Sequence, residues 1–294
     1  MGHLRRLGVL GWPVAHSRSP AMHNAALRAV GLDGWRYQHL PVPTELFPET
    51  VRALPTLGFV GASVTIPHKA AALALADEAT PTARAIGAAN MLTFASDGAI
   101  TADNTDAPGL LAALGDERPR TAVVLGAGGS ARAVVYALAQ AGVAVKVWNR
   151  TIERAERLAA DLGAEVVQDL PPADLLVQCT SIELADTSRV FKDLPFGADA
   201  LGRYACVVDL VYRTGGTEFL REAQRRGSRV IDGLEILVHQ GALSFERWTG
   251  QAAPLGAMRH AARVPATDDD DPTRPPAPAP GAAAHRRGER GAGR

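Results

Sequence analysis

The stretch 121-TAVVLGAGGSARAVVYALAQAG-142 decides the fold, because a strand-like run, a glycine-rich turn and a helix-like run follow one another without a break. Gly126, Gly128 and Ala131 fit the pattern G-x-G-x-x-G/A. The first glycine of that pattern makes a tight turn, the second lets the backbone approach a pyrophosphate, and the third small residue lets helix and strand pack closely. The stretch therefore predicts a Rossmann-like unit that binds a dinucleotide at a helix N-terminus. The predicted cofactor-binding residues here are Gly126, Ala127, Gly128, Gly129, Ser130 and Ala131.

The next strand-like run ends in 147-VWNRT-151, about where an NAD-binding chain usually carries an acidic residue for the ribose hydroxyls. Asn149 occupies that place, and Arg150 and Thr151 follow it. A carboxylate would repel a 2′-phosphate, whereas a guanidinium offers it a forked pair of donors. We therefore expect NADP rather than NAD. Arg154, one helical turn later, is a further candidate donor, although the amphipathic helix 151–163 would carry arginines on its polar face in any case.

Strand-like and helix-like runs alternate on both sides of this unit, which indicates an α/β fold. The N-terminal third has a βαβ-type pattern, and 90-NMLTFASDGAITADN-104 predicts a hairpin around Asp97-Gly98. After residue 121 the alternation predicts a parallel sheet covered by helices on both faces. The length of 294 residues favours two domains. The tail from residue 265 lacks apolar periodicity and is predicted to be disordered.

The net charge of the chain argues against nucleic acid and membranes as partners. The formal net charge is zero, which gives no basic footprint for nucleic acid and no polybasic patch for a membrane. No signal-peptide core and no uninterrupted apolar stretch of about 18 residues is found, so a cytoplasmic protein is expected.

Cys179 and Cys206 lie in apolar strand-like runs without a second cysteine pair, which predicts buried, reduced thiols. His16, His23 and His68 have no acidic or cysteine partner at ligand spacing, so no metal site is expected.

One lysine stands out in 63-SVTIPHK-69, because the chain has only three lysines against 28 arginines. An arginine stays protonated, whereas a lysine amine can donate and accept a proton. Lys69 is therefore a candidate for proton transfer. The alternative is a solvated cation at the start of the helix-like run that follows.

The chain resembles the shikimate 5-dehydrogenase family in seven motifs that occur in the same order. They are 16-HSRSP-20, 63-SVTIPHK-69, 87-GAAN-90, 103-DNTD-106, 126-GAGGSARA-133, 149-NRT-151 and 232-DGLEILVHQGALSF-245. The resemblance implies an N-terminal α/β substrate domain (1–105 plus 236–264), a Rossmann NADP domain (106–235) and a cleft between them, with the tail 265–294 outside both. The implied reaction is the reversible, NADPH-dependent reduction of 3-dehydroshikimate to shikimate.

The resemblance also assigns the site residues. Lys69 and Asp106 match the catalytic pair, and Gly233 matches a cofactor-binding position. The residues matched to the substrate carboxylate are Ser17, Ser19 and Tyr212, and those matched to the ring oxygens are Thr65, Asn90 and Gln240.

Several of these residues have structural alternatives. Asp106 or Thr105 could cap the helix that follows, Ser19 could cap a helix before Pro20, and Tyr212 could end a strand. Asn90 and Gln240 lie in apolar surroundings, where an unpaired amide is costly, so each is expected to have a polar partner.

Four features depart from the family pattern. Glu235 and Ile236 replace a small residue and Met, Ser63 replaces a frequent Asn, no Thr follows Asn90, and 179-CTSIELAD-186 replaces a turn with glycine and methionine near the cofactor. Two alternatives stay open: a relative acting on quinate or an amino analogue, which would share Lys69 and Asp106, and a non-catalytic ligand-binding or regulatory protein. The expected partner is a small-molecule substrate, and a homodimer stays open.

Overall fold

The computed structural model describes residues 4–182, 190–213 and 215–264. The tail predicted to be disordered, and Glu183 and Leu184 of the divergent 179–186 stretch, lie outside the described residues. The described residues form two six-stranded sheets with helices packed on them. The α/β class predicted from the alternating pattern is confirmed.

The first sheet has the strand order β2-β1-β3-β5-β6-β4. Its strands are β1 (Arg5–Gly11), β2 (Trp35–Pro41), β3 (Phe59–Val64), β4 (Glu78–Ala79), β5 (Met91–Phe94) and β6 (Ile100–Asp103). β1 pairs in parallel with β2 and β3, whereas β5 runs antiparallel to both of its neighbours. The predicted hairpin joins β5 to β6, and Gly98 takes the φ of +91° that its turn requires. This sheet is mixed because the hairpin adds antiparallel strands to a parallel core.

Four helices belong to this half of the chain: α1 (Ser19–Ala29), α2 (Phe47–Ala53), α3 (Lys69–Leu75) and α4 (Pro81–Ile86). A 3-10 turn at Thr44–Leu46 leads directly into α2. Pro48 lies in the first turn of α2, where its missing N–H group costs no helical hydrogen bond.

The second sheet is parallel throughout, in the order β12-β11-β10-β7-β8-β9, as predicted. Its strands are β7 (Thr121–Leu125), β8 (Ala144–Trp148), β9 (Glu165–Val166), β10 (Ala173–Gln178), β11 (Tyr204–Asp209) and β12 (Arg229–Ile231). Its helices are α6 (Gly129–Gln140), α7 (Ile152–Leu162) and α8 (Glu218–Arg225), with a 3-10 segment at Ala198–Arg203.

Three helices connect the two halves: α5 (Asp106–Leu114), α9 (Gly233–Thr249) and α10 (Leu255–Arg263). α5 packs against both α6 and α9. The apolar residues of α9 and α10 share a buried core with β1, α1 and β5, and the Trp248 indole N–H donates to the Leu92 carbonyl at 3.0 Å. The chain thus returns to its first sheet, as the resemblance implies. In the part of the chain that the structure describes, no helix is long and apolar enough to cross a bilayer.

Candidate active site

A cavity of about 790 Å³ lies between the start of α3 and the turn that joins β7 to α6. Lys69 lines it on one side and the glycine-rich turn lines it on the other. Nine of the eleven predicted cofactor residues line it, and the other two are Ala131 and Gly233. Ala131 is fully buried in the core between α6 and the sheet, which is the packing role that the third small residue of the fingerprint predicts.

The glycine-rich turn is shaped to accept an anion. Gly126 has a φ of +111°, and a Cβ there would come within 3.2 Å of the Cys179 backbone. A Cβ on Gly128 would meet open space, which leaves this part of the backbone accessible from the cavity. No side chain caps the N-terminus of α6, and its first turn carries no acidic residue to repel an anion, so its first amide N–H groups can bind a negative ligand. The turn therefore fits a pyrophosphate.

The far end of the cavity is basic. Arg150 and Arg154 are both exposed on the cavity wall, and the Asn149 side chain donates to the Thr151 carbonyl at 2.8 Å. Arg157 lines the same wall and was not among the predicted residues, although its spacing of three from Arg154 on one helix could have indicated it. None of these three guanidinium groups forms an ion pair with another described residue. The wall therefore suits a phosphate with two negative charges.

Lys69 is the first residue of α3, and its ammonium lies within the cavity wall. Its Nζ donates to Asp106 Oδ2 at 2.5 Å and to Ser130 Oγ at 2.8 Å. The side chains of Lys69 and Asp106 are only 11% and 14% exposed. This burial does not fit the alternative of a solvated surface cation.

Asn104 caps α5, although the sequence offered Thr105 and Asp106 for that role. Asn104 Oδ1 accepts from the amides of Asp106 and Ala107 at 3.1 and 3.3 Å, whereas Thr105 at the N-cap position makes no side-chain capping bond. The expectation that Thr105 or Asp106 could cap is therefore wrong. Because Asn104 does the capping, the Asp106 carboxylate is left to bond Lys69.

A network of side-chain amides and hydroxyls lies behind the ion pair. The two N–H groups of Asn90 Nδ2 are shared among three acceptors, Asp106 Oδ1 at 2.8 Å, Thr105 Oγ1 at 3.0 Å and Gln240 Oε1 at 3.1 Å. Asn90 Oδ1 accepts from the Thr105 amide at 2.7 Å, and Gln240 Nε2 donates to the Leu237 carbonyl at 3.0 Å. The expectation that both buried amides have polar partners is confirmed. The network holds Asp106 in one orientation.

The three residues matched to a carboxylate lie together at the start of α1. Ser17 Oγ donates to Ser19 Oγ at 3.2 Å, and the Tyr212 hydroxyl accepts from the Arg18 amide at 3.4 Å. Ser19 is the first residue of α1 rather than its N-cap, and Tyr212 lies three residues beyond the end of β11, so neither structural alternative holds. Burial raises the pKa of Tyr212, so its hydroxyl stays a donor. Thr65 follows β3, and its side chain makes no hydrogen bond within the described residues.

Two further hydroxyls lie in this region and were missed from the sequence. Tyr37 Oη and Ser63 Oγ are buried and make no hydrogen bond of ordinary geometry among the described residues. Tyr37 stacks on the His23 ring with centroids 4.3 Å apart, and both ring nitrogens of His23 also lack a partner there. Burial raises the pKa of Tyr37 and lowers the pKa of His23 to about 3. A tyrosine in a β-strand is typical of a core residue, so no sequence pattern indicated these two hydroxyls.

Comparison with known proteins assigns the chain to a family. Family models match it in three places: the shikimate dehydrogenase substrate binding domain at residues 9–92, shikimate / quinate 5-dehydrogenase at 112–188, and the shikimate 5'-dehydrogenase C-terminal domain at 233–263. The chain is 46% identical to "Shikimate dehydrogenase (NADP(+))" of Paracoccus denitrificans over 85% of this chain and 92% of that protein. The chain belongs to the shikimate dehydrogenase family. The enzyme of the same name from Thermus thermophilus is 45% identical over 88% of this chain and 97% of that protein.

Solved structures of shikimate dehydrogenases have the same fold. The structure of a shikimate 5-dehydrogenase from Thermus thermophilus in complex with NADP(H) and shikimate matches with a TM-score of 0.79 and 42% identity. The match covers 88% of this chain and 98% of that one. The enzyme from Aquifex aeolicus matches with a TM-score of 0.81 and 33% identity, over 88% of this chain and 98% of that one. The two-domain fold expected from the resemblance is therefore confirmed.

One departure from the shikimate dehydrogenase pattern now has a structural reason. Glu235 accepts a bidentate bond from Arg259, at 2.6 Å to Nη2, and a weaker one from Arg263 at 3.3 Å. These bonds join α9 to α10 and hold the pKa of Glu235 below its usual value. The Glu235 carboxylate thus links α10 to α9, the helix that carries Gln240.

The remaining candidate residues have structural roles or lie apart from the cavity. Gly233 is buried, and a Cβ there would collide with the Leu210 carbonyl. His68 bonds the Val42 carbonyl at 2.7 Å and stacks on Phe47, which agrees with a structural histidine. Cys206 is buried as predicted, and burial raises the pKa of its thiol to about 11. The expectation of a buried thiol is wrong for Cys179, which is half-buried because it lies where β10 ends beside the cavity. Among the described residues, no cluster of potential metal ligands is found.

Proposed function

We propose that this protein catalyses the reversible, NADP-dependent reduction of 3-dehydroshikimate to shikimate. The observation that carries the proposal is the pair of contacts made by the Lys69 ammonium, which donates to Asp106 on one side and to Ser130 of the dinucleotide turn on the other. A proton donor thereby lies beside the predicted site of hydride transfer. The names of the relatives, and the NADP(H) and shikimate bound in the similar Thermus structure, support the same substrate and cofactor.

In the proposed mechanism Lys69 transfers the proton, and its neighbours Asp106 and Asn90 hold it in position. Bound NADPH supplies the hydride. As negative charge develops on the carbonyl oxygen, the Lys69 ammonium stabilises it and donates a proton to it. Asp106 keeps the ammonium in place, and Asn90 in turn holds Asp106. In the oxidation direction the neutral Lys69 amine accepts the hydroxyl proton.

The other polar residues are proposed to orient the substrate. Ser17, Ser19 and Tyr212 would hold the carboxylate through hydroxyl donors, and their closeness in the structure supports this role. Thr65, Asn90 and Gln240 would hold the ring oxygens. A ring held at both ends in this way would have its carbonyl facing Lys69, which is the geometric requirement for proton transfer.

The proposed cofactor site uses the glycine-rich turn for the pyrophosphate and Arg150, Thr151 and Arg154 for the 2′-phosphate. Arg157 is added to this group, because it lies on the same wall. The division into 1–105 plus 236–264 and 106–235 is likewise our proposal, supported by the two separate sheets. The expected cytoplasmic location stays a prediction from the sequence. Light scattering would distinguish a homodimer from a monomer.

The experiment compares substrates and cofactors on the purified protein. NADPH oxidation is followed with 3-dehydroshikimate, and NADP and NAD reduction are followed with shikimate and with quinate. We expect the highest kcat/KM with shikimate and NADP. A preference for quinate would move the protein to another activity of the same family, and the absence of turnover with every pair would contradict the proposal.

A further inference from the structure

The cofactor turn lies against the Lys69 side chain at its ammonium group and along its aliphatic stem. Ser130 Oγ lies 2.8 Å from Lys69 Nζ. A Cβ placed on Gly129 would lie 3.0 Å from Lys69 Cβ and 3.2 Å from Cδ, so the turn also packs against the aliphatic stem. The residue proposed to transfer the proton is therefore held in part by the second half of the chain.

The position of Ser130 is itself fixed by a neighbouring contact. Arg132, half a turn further along α6, donates through Nε to the Ile86 carbonyl and packs against Gly87. Its Nη1 forms an ion pair with Asp161 at 2.8 Å. The first turn of α6 is thus attached to the loop after α4, and Ser130 has little freedom to move away from Lys69.

We propose that Ser130 is a positioning residue for Lys69, in addition to forming part of the cofactor turn. This inference rests on the proposed function. An ammonium group has three N–H donors. Asp106 takes one and Ser130 takes the second, so only the third is left for the substrate oxygen.

Loss of the Ser130 hydroxyl would leave the ammonium anchored at Asp106 alone. Asp106 itself would stay in place, because its other oxygen accepts from Asn90 at 2.8 Å. The ammonium could then rotate, and the fraction of time in which it faces the carbonyl would fall. This loss acts on the chemical step rather than on the binding of the cofactor.

The test measures kcat and KM separately for Ser130→Ala and Ser130→Thr. At saturating 3-dehydroshikimate and NADPH, we expect Ser130→Ala to lower kcat about tenfold, which corresponds to about 1.4 kcal/mol. The KM for NADPH should change by less than about threefold. Ser130→Thr keeps the hydroxyl and should restore kcat to within about threefold of the wild-type value. Arg150→Ala serves as the opposite case, in which the KM for NADPH should rise by a larger factor than kcat falls.

Two results would overturn the role of Ser130 as a positioning residue. An unchanged kcat with a raised KM for NADPH would overturn the inference, since Ser130 would then act only on the cofactor. A failure of Ser130→Thr to restore kcat would also overturn it, because the loss would come from packing. If Ser130→Ala does not fold, Ser130→Cys replaces it, since a thiol is a poor hydrogen-bond acceptor, and the same loss in kcat is expected. A wild-type protein without activity would contradict the proposed function instead.

Discussion

Replacing Lys69 by Arg keeps the positive charge and removes the ability to transfer a proton. The wild-type ammonium lies 2.5 Å from Asp106 and 2.8 Å from Ser130, in a space bounded by the Gly129 backbone. A guanidinium is wider and planar, so it cannot reproduce both contacts from the same position. The substitution therefore changes the chemistry and the geometry of the site while leaving its net charge unaltered.

The size of the effect follows from those two contacts. A hydrogen bond to a charged group is worth about 1.5–3 kcal/mol, and Arg can keep the one to Asp106. The bond to Ser130 would be lost, and so would proton donation, which alone contributes about a hundredfold to ten-thousandfold to the rate. The smaller of these factors sets the lower limit for the loss in kcat. We expect kcat to fall at least about a hundredfold, or about 2.7 kcal/mol. The KM for 3-dehydroshikimate should change less, because the hydroxyl cluster that would hold the carboxylate is untouched.

The assay is turnover at saturating 3-dehydroshikimate and NADPH, with Tm measured to confirm folding. Lys146→Arg is the matched control, since Lys146 is a half-buried lysine that pairs with Glu165 at 3.4 Å on the second sheet, away from Lys69. The control should keep its full turnover. A folded Lys69→Arg protein that retains more than about a third of wild-type turnover would refute the assignment of Lys69 to proton transfer.

Three further predictions concern the cofactor, the core and the tail. Arg150→Asp should raise the KM for NADP at least about tenfold, or about 1.4 kcal/mol, with little loss or a gain for NAD, whereas equal weakening of both would exclude a 2′-phosphate contact. His23 has a pKa of about 3 when folded and about 6.5 when unfolded, so its contribution to stability is complete above pH 6.5 and decreases as the pH falls, by about 2 kcal/mol at pH 5. Urea unfolding at pH 7.5 and pH 5 should show a smaller loss for His23→Phe than for the wild type, and equal losses would contradict the buried neutral ring. Truncation after Val264 should leave kcat and Tm nearly unchanged, because the tail sequence lacks an apolar face, and a decrease of several degrees in Tm would show that the tail packs.

Local patterns in the sequence were sufficient for the glycine-rich turn, the hairpin and the parallel second sheet. The glycine spacing of 126-GAGG-129 and the pair Asp97-Gly98 each specify a backbone conformation through adjacent residues. Lys69 could also be selected from the sequence, because a rare lysine in a chain rich in arginine is a chemical signal. These features depend on few distant contacts.

Features that depend on tertiary contacts could not be read in the same way. The motif 103-DNTD-106 offers several capping side chains in a row, and Asn104 is fixed for the role partly by its bond to the distant Ala88 carbonyl at 2.9 Å. The contact between Lys69 and Ser130 joins residues from the two halves of the chain. The ion pair between Glu235 and Arg259 depends on how α9 and α10 are oriented relative to each other. No periodicity in the sequence encodes these distances.

The return of α9 and α10 to the first sheet has a consequence for synthesis on the ribosome. The core of β1 and α1 is completed by residues near the end of the described chain, among them Val238, Phe245 and Met258. At typical elongation rates, these residues emerge on the order of ten seconds after the first sheet has left the exit tunnel. During that interval the apolar side of β1 is uncovered, whereas the second sheet is contiguous in sequence and can close first. The half of the protein that is made first is thus expected to be the last to reach its native core, and the nascent chain to be most prone to aggregation in the meantime.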